Sequence, residues 1–134
     1  QVLRALHKAI QSGLVLTAHA VTGGGLAVAL AALCEPYGAA IDLTVLGNAV
    51  QPDILLFSES SGRFVVEIRP DDARRFDAFM SGHYCARIGE VSTAPRLIVR
   101  THTPTPWVDW TFMPSGTAKA APANPAKQRT PQPA

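Results

Sequence analysis

The 134-residue sequence predicts an α/β (α+β) fold, in which helices pack on a mixed or antiparallel sheet as a sandwich. Two patterns support this fold class. Residues 63–69 alternate, with Phe64, Val66 and Ile68 on one side, as in a strand with one buried face. Residues 26–34 are apolar throughout, so a helix there must be enclosed on most sides. Helical and strand-like segments then follow one another along the chain.

The first third of the chain predicts a helix, a strand and a second helix. From Val2 onward, apolar residues recur at helical spacing, and Gly13 is well placed to end the helix. Residues 14–18 are strand-like. Thr22 and the three glycines after it predict a turn that opens the apolar helix, which we expect over residues 26–36.

The rest of the chain predicts five more strands, a helix and a final edge segment. The helix follows Pro70, has Asp71 and Asp72 at the positive end of its dipole, and ends near Gly82. Its expected buried face comprises Ala73, Phe76, Phe79 and Met80. The expected strands besides 63–69 are 39–46, 54–58, 85–91 and 97–101, with a loop at 47–53 and a last edge segment around Val108, Trp110 and Phe112.

Composition indicates one folded domain over residues 1–116 and a disordered tail over 117–134. The sequence is 47% hydrophobic and 16% charged, which suffices for a core. The tail is rich in Ala and Pro and lacks large apolar residues. It also holds three of the twelve basic residues and no acid, which leaves nine basic and ten acidic residues in 1–116. With no basic excess there, we expect no nucleic-acid partner.

The two cysteines and the hydropathy pattern indicate a cytoplasmic protein. Cys34 and Cys85 are too few for a disulfide framework, so we expect two buried free thiols in a reducing compartment. The longest apolar run, residues 23–34, is shorter than the roughly 20 residues that span a bilayer. No signal peptide is evident and no membrane partner is expected. The start at Gln1 suggests a fragment or a processed chain.

Three segments together resemble one protein family. Residues 17–31 (TAHAVTGGGLAVALA) resemble the His-Asp-x-Ser-Asp-Gly-Gly-Leu turn and helix of the AIR synthase-related superfamily. Residues 56–66 (LFSESSGRFVV) are similar to the Phe-Ser-Glu-x-x-x-Arg-Phe signature of its phosphoribosylformylglycinamidine synthases. Residues 87–91 (RIGEV) are similar to the family's Ile-Gly-x-Val strand. Their order and separations fit as well, so the resemblance covers residues 1–101.

The resemblance implies an AIR synthase C-terminal domain-like sandwich within an ATP-dependent, amidine-forming ligase of purine biosynthesis. ATP and magnesium would serve the intact enzyme, and neither is expected on this chain alone. The implied partners are an N-terminal ATP-binding half, a glutaminase subunit or domain and a small accessory subunit; a homodimer is also compatible. The chain would help to shape the active-site cleft and the subunit contacts, and would be inactive alone.

The glycine turn is the first candidate site, and its residues are His19, Thr22, Gly24 and Gly25. Free backbone N–H groups at a helix N-terminus can bind phosphate, while glycines at the same place also permit close helix packing. The resemblance places aspartates where this chain has Ala20 and Gly23, so magnesium coordination and nucleotide binding by the turn are not expected. His19 is interpreted as a hydrogen-bonded structural residue.

Ser58, Glu59 and Arg63 form the second candidate site. Glu59 and Arg63 flank a predicted hairpin turn and could form a surface ion pair. The resemblance offers another role, in which Ser58 and Glu59 face the cleft shared with the companion half. No metal-ligand spacing is present, and no catalytic residue is identified.

Two alternatives remain open at this point. One is a catalytically inactive binding or scaffolding module of the same fold, which the missing turn aspartates favour. The other is a different AIR synthase-like enzyme that uses ATP. The reading frame upstream of Gln1 would distinguish them, because an in-frame ATP-binding half would favour the ligase.

Overall fold

The computed structural model describes residues 1–113, so the predicted disordered tail at 117–134 lies outside the described residues. No described helix is long and apolar enough to cross a membrane. The described part contains four α-helices, six strands and two short 3-10 helices (Leu43–Leu46 and Pro70–Asp72). In chain order the α-helices and strands are α1 (Val2–Gln11), β1 (Val15–Ala20), α2 (Gly25–Cys34), β2 (Gly38–Asp42), α3 (Pro52–Phe57), β3 (Phe64–Ile68), α4 (Ala73–Phe79), β4 (Gly89–Ser92), β5 (Arg96–Arg100) and β6 (Val108–Thr111).

The strands are divided between two sheets. β1 and β3 form an antiparallel pair, with His19 opposite Val65. The other four strands lie in the order β4-β2-β5-β6, and β2 runs antiparallel to β4 but parallel to β5. β5 and β6 are antiparallel. Because β6 is the last strand in this order, it is the edge segment that the sequence predicted. The predicted α/β fold with a mixed sheet is therefore confirmed.

Two hydrophobic clusters hold the layers together, and β3 contributes to both. Val65 belongs to the larger cluster, in which α2 and Leu56 of α3 pack with the inner face of the four-stranded sheet. Phe64, Val66 and Ile68 pack against the smaller cluster, formed chiefly by α1 and α4. Phe64, Val66 and Ile68 therefore share one face as predicted, but they are only partly buried, and the buried residue of the strand is Val65 on the opposite face. The expectation of a single buried face is wrong, because a helix layer lies on each side of the strand. The buried members of the smaller cluster are Leu6, Ala9, Leu14, Phe76 and Met80.

The strand predicted at residues 54–58 is wrong, because this segment is the helix α3. Pro52 occupies the first turn, where its missing N–H costs no hydrogen bond, and Asp53 lies at the positive end of the helix dipole. Leu56 is fully buried, whereas Ile54 and Phe57 are 52% and 53% exposed. A run of four apolar residues has no alternation, so its periodicity does not distinguish a short strand from a buried helix.

The strand predicted at residues 39–46 ends early, at Asp42. The Asp42 carboxylate accepts hydrogen bonds from the backbone N–H and the hydroxyl group of Thr44, at 2.9 and 2.6 Å. These bonds start the 3-10 helix Leu43–Leu46 and hold the pKa of Asp42 below its usual value. The chain therefore turns away from the sheet at this residue.

The strand predicted at residues 85–91 begins late, at Gly89, for a related reason. β4 pairs with Gly38–Ile41 of β2, and only the Ile88 carbonyl reaches further, accepting from the Asp42 N–H at 2.7 Å. Because β2 ends there, residues 85–88 have no strand to pair with. Cys85 is consequently exposed, which corrects its predicted burial. Cys34 is buried as expected, and that burial raises the pKa of its thiol.

The helical geometry of α3 can be tested with two truncations. We expect Leu56→Ala to lower the free energy of unfolding by about 3 kcal/mol, since it removes a fully buried side chain. Ile54→Ala should change it by less than about 0.5 kcal/mol, because that side chain is half exposed. Urea unfolding followed by circular dichroism measures both. Similar losses for the two variants would contradict the helix, since residues 54 and 56 share a face only in a strand.

Candidate functional site

The glycine turn joins the end of β1 to the start of α2. Gly24 and Gly25 have φ angles of +81° and +69°, a left-handed conformation that favours glycine. The turn is closed by a hydrogen bond of 3.0 Å from the Gly25 N–H to the Thr22 carbonyl. Both predicted glycines are therefore needed by the backbone itself, whatever the turn binds.

Gly25 also permits a close approach between two helices. It is buried, and a Cβ atom at this position would lie 2.5 Å from the Leu56 carbonyl oxygen and 2.7 Å from the Phe57 Cα. The obstacle is the backbone of α3, which cannot move aside as a flexible side chain would. Of the two predicted roles of the glycines, this geometry favours close packing for Gly25, here of α2 on α3.

Glu59 supplies an anion to the N-terminus of α2. Its Oε1 atom accepts a hydrogen bond from the Gly24 N–H at 2.9 Å, across 35 residues of sequence. A carboxylate here satisfies an unpaired amide and interacts favourably with the positive end of the helix dipole. A phosphate group directed at Gly24 would have to displace this carboxylate or be repelled by it. The geometry therefore favours an internal cap over an open phosphate site.

Arg63 interacts with the C-terminus of α3. Its guanidinium group donates to the carbonyls of Ser58 and Leu55, the latter at 3.4 Å, at the C-terminus of α3. A positive charge at this end is stabilising, because the last carbonyls have no partner within the helix. The Arg63 carbonyl accepts in turn from the Val21 N–H at 2.9 Å, beside the glycine turn.

The predicted hairpin between Glu59 and Arg63 is wrong. Since α3 precedes it, the segment from Ser58 to Arg63 is a loop between a helix and β3 rather than a turn between two strands. Glu59 and Arg63 form no ion pair, as the bridges of the described residues involve other side chains. Instead, Glu59 interacts with the N-terminus of α2 and Arg63 with the C-terminus of α3. The loop is thereby held against both helices.

A cleft of about 380 Å³ opens between the glycine turn and this loop. Three of the predicted residues line it: Thr22, Glu59 and Arg63. Ser58, Gly24 and Gly25 are not in the lining, but they hydrogen-bond to Arg63, Glu59 and Thr22, respectively. The complete lining is Ala20, Val21, Thr22, Gly23, Glu59, Ser61, Gly62, Arg63 and Phe64. Ser61, Gly62 and Phe64 were not predicted as site residues, although they lie within the second resembling segment.

His19 lies outside the cleft lining, on β1. It is half buried, and its Nδ1 atom is 2.8 Å from the carbonyl oxygen of Ala20. Because a carbonyl can only accept, Nδ1 carries the proton in this bond. The contact agrees with the structural role that the sequence suggested.

The donor atoms around the turn do not fit a magnesium ion. Ala20 and Gly23 provide no carboxylate, which leaves Glu59 as the single acid in the cleft lining. Nowhere in residues 1–113 are three His, Cys, Asp or Glu residues grouped so that they could hold a metal. Since Glu59 already accepts from the Gly24 N–H, a nucleotide phosphate at the turn would have to compete with this carboxylate.

The third resembling segment lies in the sheet rather than in the cleft. Gly89 starts β4, and a Cβ atom there would lie 2.1 Å from the Ala40 carbonyl oxygen. Ile88 packs against the same hydrophobic cluster as α2 and Leu56. All three segments therefore belong to one packed unit, in which the first two build the cleft and the third holds the sheet.

The sequence profile of a family described as "AIR synthase related protein, C-terminal domain" matches residues 1–102. The chain belongs to this family. The match covers every described element up to the end of β5, including the glycine turn, the Ser58–Arg63 loop and the Ile88–Gly89 segment.

Curated relatives share this region but are much longer. The phosphoribosylformylglycinamidine synthase subunit PurL of Salinibacter ruber is 42% identical over 90 residues, which are 64% of this chain and 12% of that protein. The PurL subunit of Lactobacillus helveticus is 35% identical over 100 residues, or 73% of this chain and 13% of that protein. The chain thus spans about an eighth of the relatives that it matches.

Solved structures of PurL from Thermotoga maritima share the fold. The structure titled "Structure of PurLQS from Thermotoga maritima" superposes with a TM-score of 0.72 at 24% identity, over 82% of this chain and 20% of that one. The structure titled "T. maritima PurL complexed with ATP" gives the same TM-score, identity and coverage. At this level of identity the likeness establishes the fold.

The packing role of Gly25 can be tested by comparing two alanine variants. Gly25→Ala should lower the free energy of unfolding by about 3 kcal/mol or more, because it combines left-handed strain with a clash against α3. Gly13→Ala is the control: its φ is also positive, at +71°, but nothing lies within 4 Å, so only about 1 kcal/mol should be lost. Equal losses in urea unfolding would show that the contact with α3 carries no weight.

The cap made by Glu59 can be tested separately. Glu59→Ala removes the acceptor for Gly24 and should lower the free energy of unfolding by about 1 kcal/mol. Glu59→Gln keeps an acceptor but loses the charge, so its loss should be smaller, and the difference from the native chain should shrink at high salt. The Gly24 amide signal in NMR spectra should move in both variants. An unmoved signal would refute the bond.

Proposed function

We propose that the chain is the C-terminal AIR synthase-related domain of a phosphoribosylformylglycinamidine synthase, where it forms one wall of the active-site cleft and takes part in subunit contacts. One observation supports this most directly. The glycine turn and the Ser58–Arg63 loop build a preformed cleft, yet Glu59 is the single acid in its lining, and residues 1–113 contain no cluster of three metal-ligating side chains. Such a wall suits a domain whose chemistry is completed by another part of the same polypeptide.

The relatives agree with this role. They are synthase subunits of which the chain spans 12–13%, so most of the functional polypeptide lies outside it. In the proposed enzyme, ATP and magnesium would bind mainly to the N-terminal half, and formylglycinamide ribonucleotide would be converted to its amidine. A glutaminase subunit and a small accessory subunit would complete the assembly, in the cytoplasm, and a homodimer is compatible with it.

Within the cleft, Glu59 and Arg63 would have different duties. Glu59 is exposed and lines the cleft. Its carboxylate accepts a hydrogen bond from the Gly24 N–H and also borders the open cleft. Arg63 is committed to the carbonyls of α3 and positions the loop. The chain would therefore present to a ligand one carboxylate, the Thr22 and Ser61 hydroxyl groups and backbone amides. The carboxylate suits a hydroxyl or amine donor of the ligand and repels a phosphate, whereas the hydroxyl groups and amides can donate to other ligand oxygen atoms.

A second candidate function is that of a binding or scaffolding module, which has the same fold but no catalytic activity. The specific observation in its favour is the glycine turn, which has Ala20 and Gly23 in place of acids and an internal carboxylate at its helix. Such a module would be translated from its own start codon, whereas the proposed domain needs an in-frame ATP-binding half.

Two measurements test the proposed function. Calorimetry of the 134-residue chain with ATP and magnesium should show no binding in the micromolar range, because the turn lacks metal ligands and a free anion site. Micromolar binding would refute the role of a wall without nucleotide contacts of its own.

The second measurement uses the longer synthase that contains this chain. Glu59→Gln should lower its turnover by about tenfold, the scale on which one charged active-site contact acts. Glu35→Gln is the matched control, since Glu35 is exposed and outside the cleft lining. Unchanged turnover in the Glu59 variant would leave that residue only its structural cap. Absence of any longer reading frame would favour the module.

A further inference from the structure

A second groove, larger and more apolar than the cleft, lies between α1 and β1. Its volume is about 680 Å³. Its lining includes Leu3 and Ile10 of α1 and Ala18 and Ala20 of β1, which we call its wall and its floor. Arg4 and Lys8 of α1 also line it and are exposed, and we call them its rim. We call this surface the α1–β1 groove; it meets the cleft at Ala20, which lines both.

The groove exposes apolar side chains that the domain's own core does not use. α1 packs on the core through Leu6 and Ala9, which are buried. Leu3 and Ile10, seven residues apart and so on one flank of the helix, are 61% and 45% exposed. His7 lies between them on this flank and also lines the groove. Exposed apolar side chains beside a groove suit contact with another polypeptide segment. On the floor, β1 pairs with β3 on one side and with no described strand on the other.

The charges at the rim define what the groove would accept. Arg4 and Lys8 are four residues apart on α1, so their like charges lie next to each other and repel. Neither forms an ion pair with another residue of the described range, and no acidic residue lines the groove. A partner that places carboxylates at this rim would remove the repulsion, while its apolar side chains would cover Leu3 and Ile10.

We infer that the α1–β1 groove seats an acidic segment with apolar side chains from the remainder of the synthase polypeptide. This inference rests on the proposed function. The chain spans about an eighth of its curated relatives, so the bulk of the polypeptide in which such a domain occurs is available to cover it. Because the groove and the cleft share Ala20, the seated segment would also fix the position of the companion half beside Glu59.

The test compares solvent access to one side chain in two proteins. Hydroxyl-radical labelling of Ile10, read by mass spectrometry, is measured in the 134-residue chain and in the longer synthase that contains it. We expect labelling to be at least fivefold lower in the longer protein, because the seated segment covers the groove. Equal labelling in the two proteins would overturn the inference while leaving the proposed function intact.

Substitutions at the groove make the test specific. In the longer protein, Leu3→Asp and the double variant Arg4→Glu/Lys8→Glu should each restore most of the labelling of Ile10. Val45→Asp is the matched control, since Val45 is 53% exposed and lies outside the groove, and it should leave the protection unchanged. In the 134-residue chain all three should shift the unfolding midpoint by less than about 2 °C, because these side chains are exposed there. Protection that persists in both groove variants would refute the proposed seat.

Two further results bear on the occupant. If Ile10 of the 134-residue chain is already protected at high concentration and loses that protection on dilution, a second copy covers the groove and the inference is wrong. If no longer reading frame exists, the proposed function fails together with it. The two failures are distinguishable, because only the second removes the longer protein.

Discussion

The close contact between the N-terminus of α2 and the backbone of α3 determines the shape of the cleft region. Gly25 makes it possible, since a Cβ atom at this position would overlap the Leu56 carbonyl and the Phe57 Cα. With the two helices in contact, the loop after α3 lies beside the glycine turn, and Glu59 can reach the Gly24 amide. The position of the loop that lines the cleft therefore depends on the absence of a side chain at Gly25.

Electrostatic interactions then stabilise the Ser58–Arg63 loop in the position that helix packing gives it. Glu59 brings a negative charge to the positive end of α2, and Arg63 brings a positive charge to the negative end of α3. Two residues that would form a weak surface pair in a hairpin are instead each used at a helix terminus, where backbone groups lack partners. The same arrangement occupies the turn with an internal carboxylate, which explains how the turn can keep its glycines without metal-binding acids.

Local patterns predicted those elements whose signals are strong over their own length. The alternation of residues 63–69 predicted β3, and the apolar run from residue 26 predicted the helix α2. The expected enclosure of this helix on most sides is wrong, because Val28 and Ala32 are exposed. The segment of α3 was misjudged because four apolar residues in a row suit a strand and a short helix equally. A signal was nevertheless present: Pro52 followed by Asp53 repeats the Pro70–Asp71 pattern, which begins the 3-10 helix that leads into α4. The error carried over to the Ser58–Arg63 loop, which a strand before it would have made a hairpin.

The sequence by itself determined the fold class, the resemblance to the family and the two segments that build the cleft, because motifs and hydrophobic patterns are local properties. Of the predicted site residues, Thr22, Glu59 and Arg63 line the cleft. The tertiary structure alone decided which groups those residues meet. The Gly24–Glu59 bond spans 35 residues, and the contact of Gly25 with α3 joins two helices that no local pattern relates. Whether a glycine turn binds a phosphate or accepts a carboxylate of its own chain depends on what packs beside it, and packing is set by the whole fold.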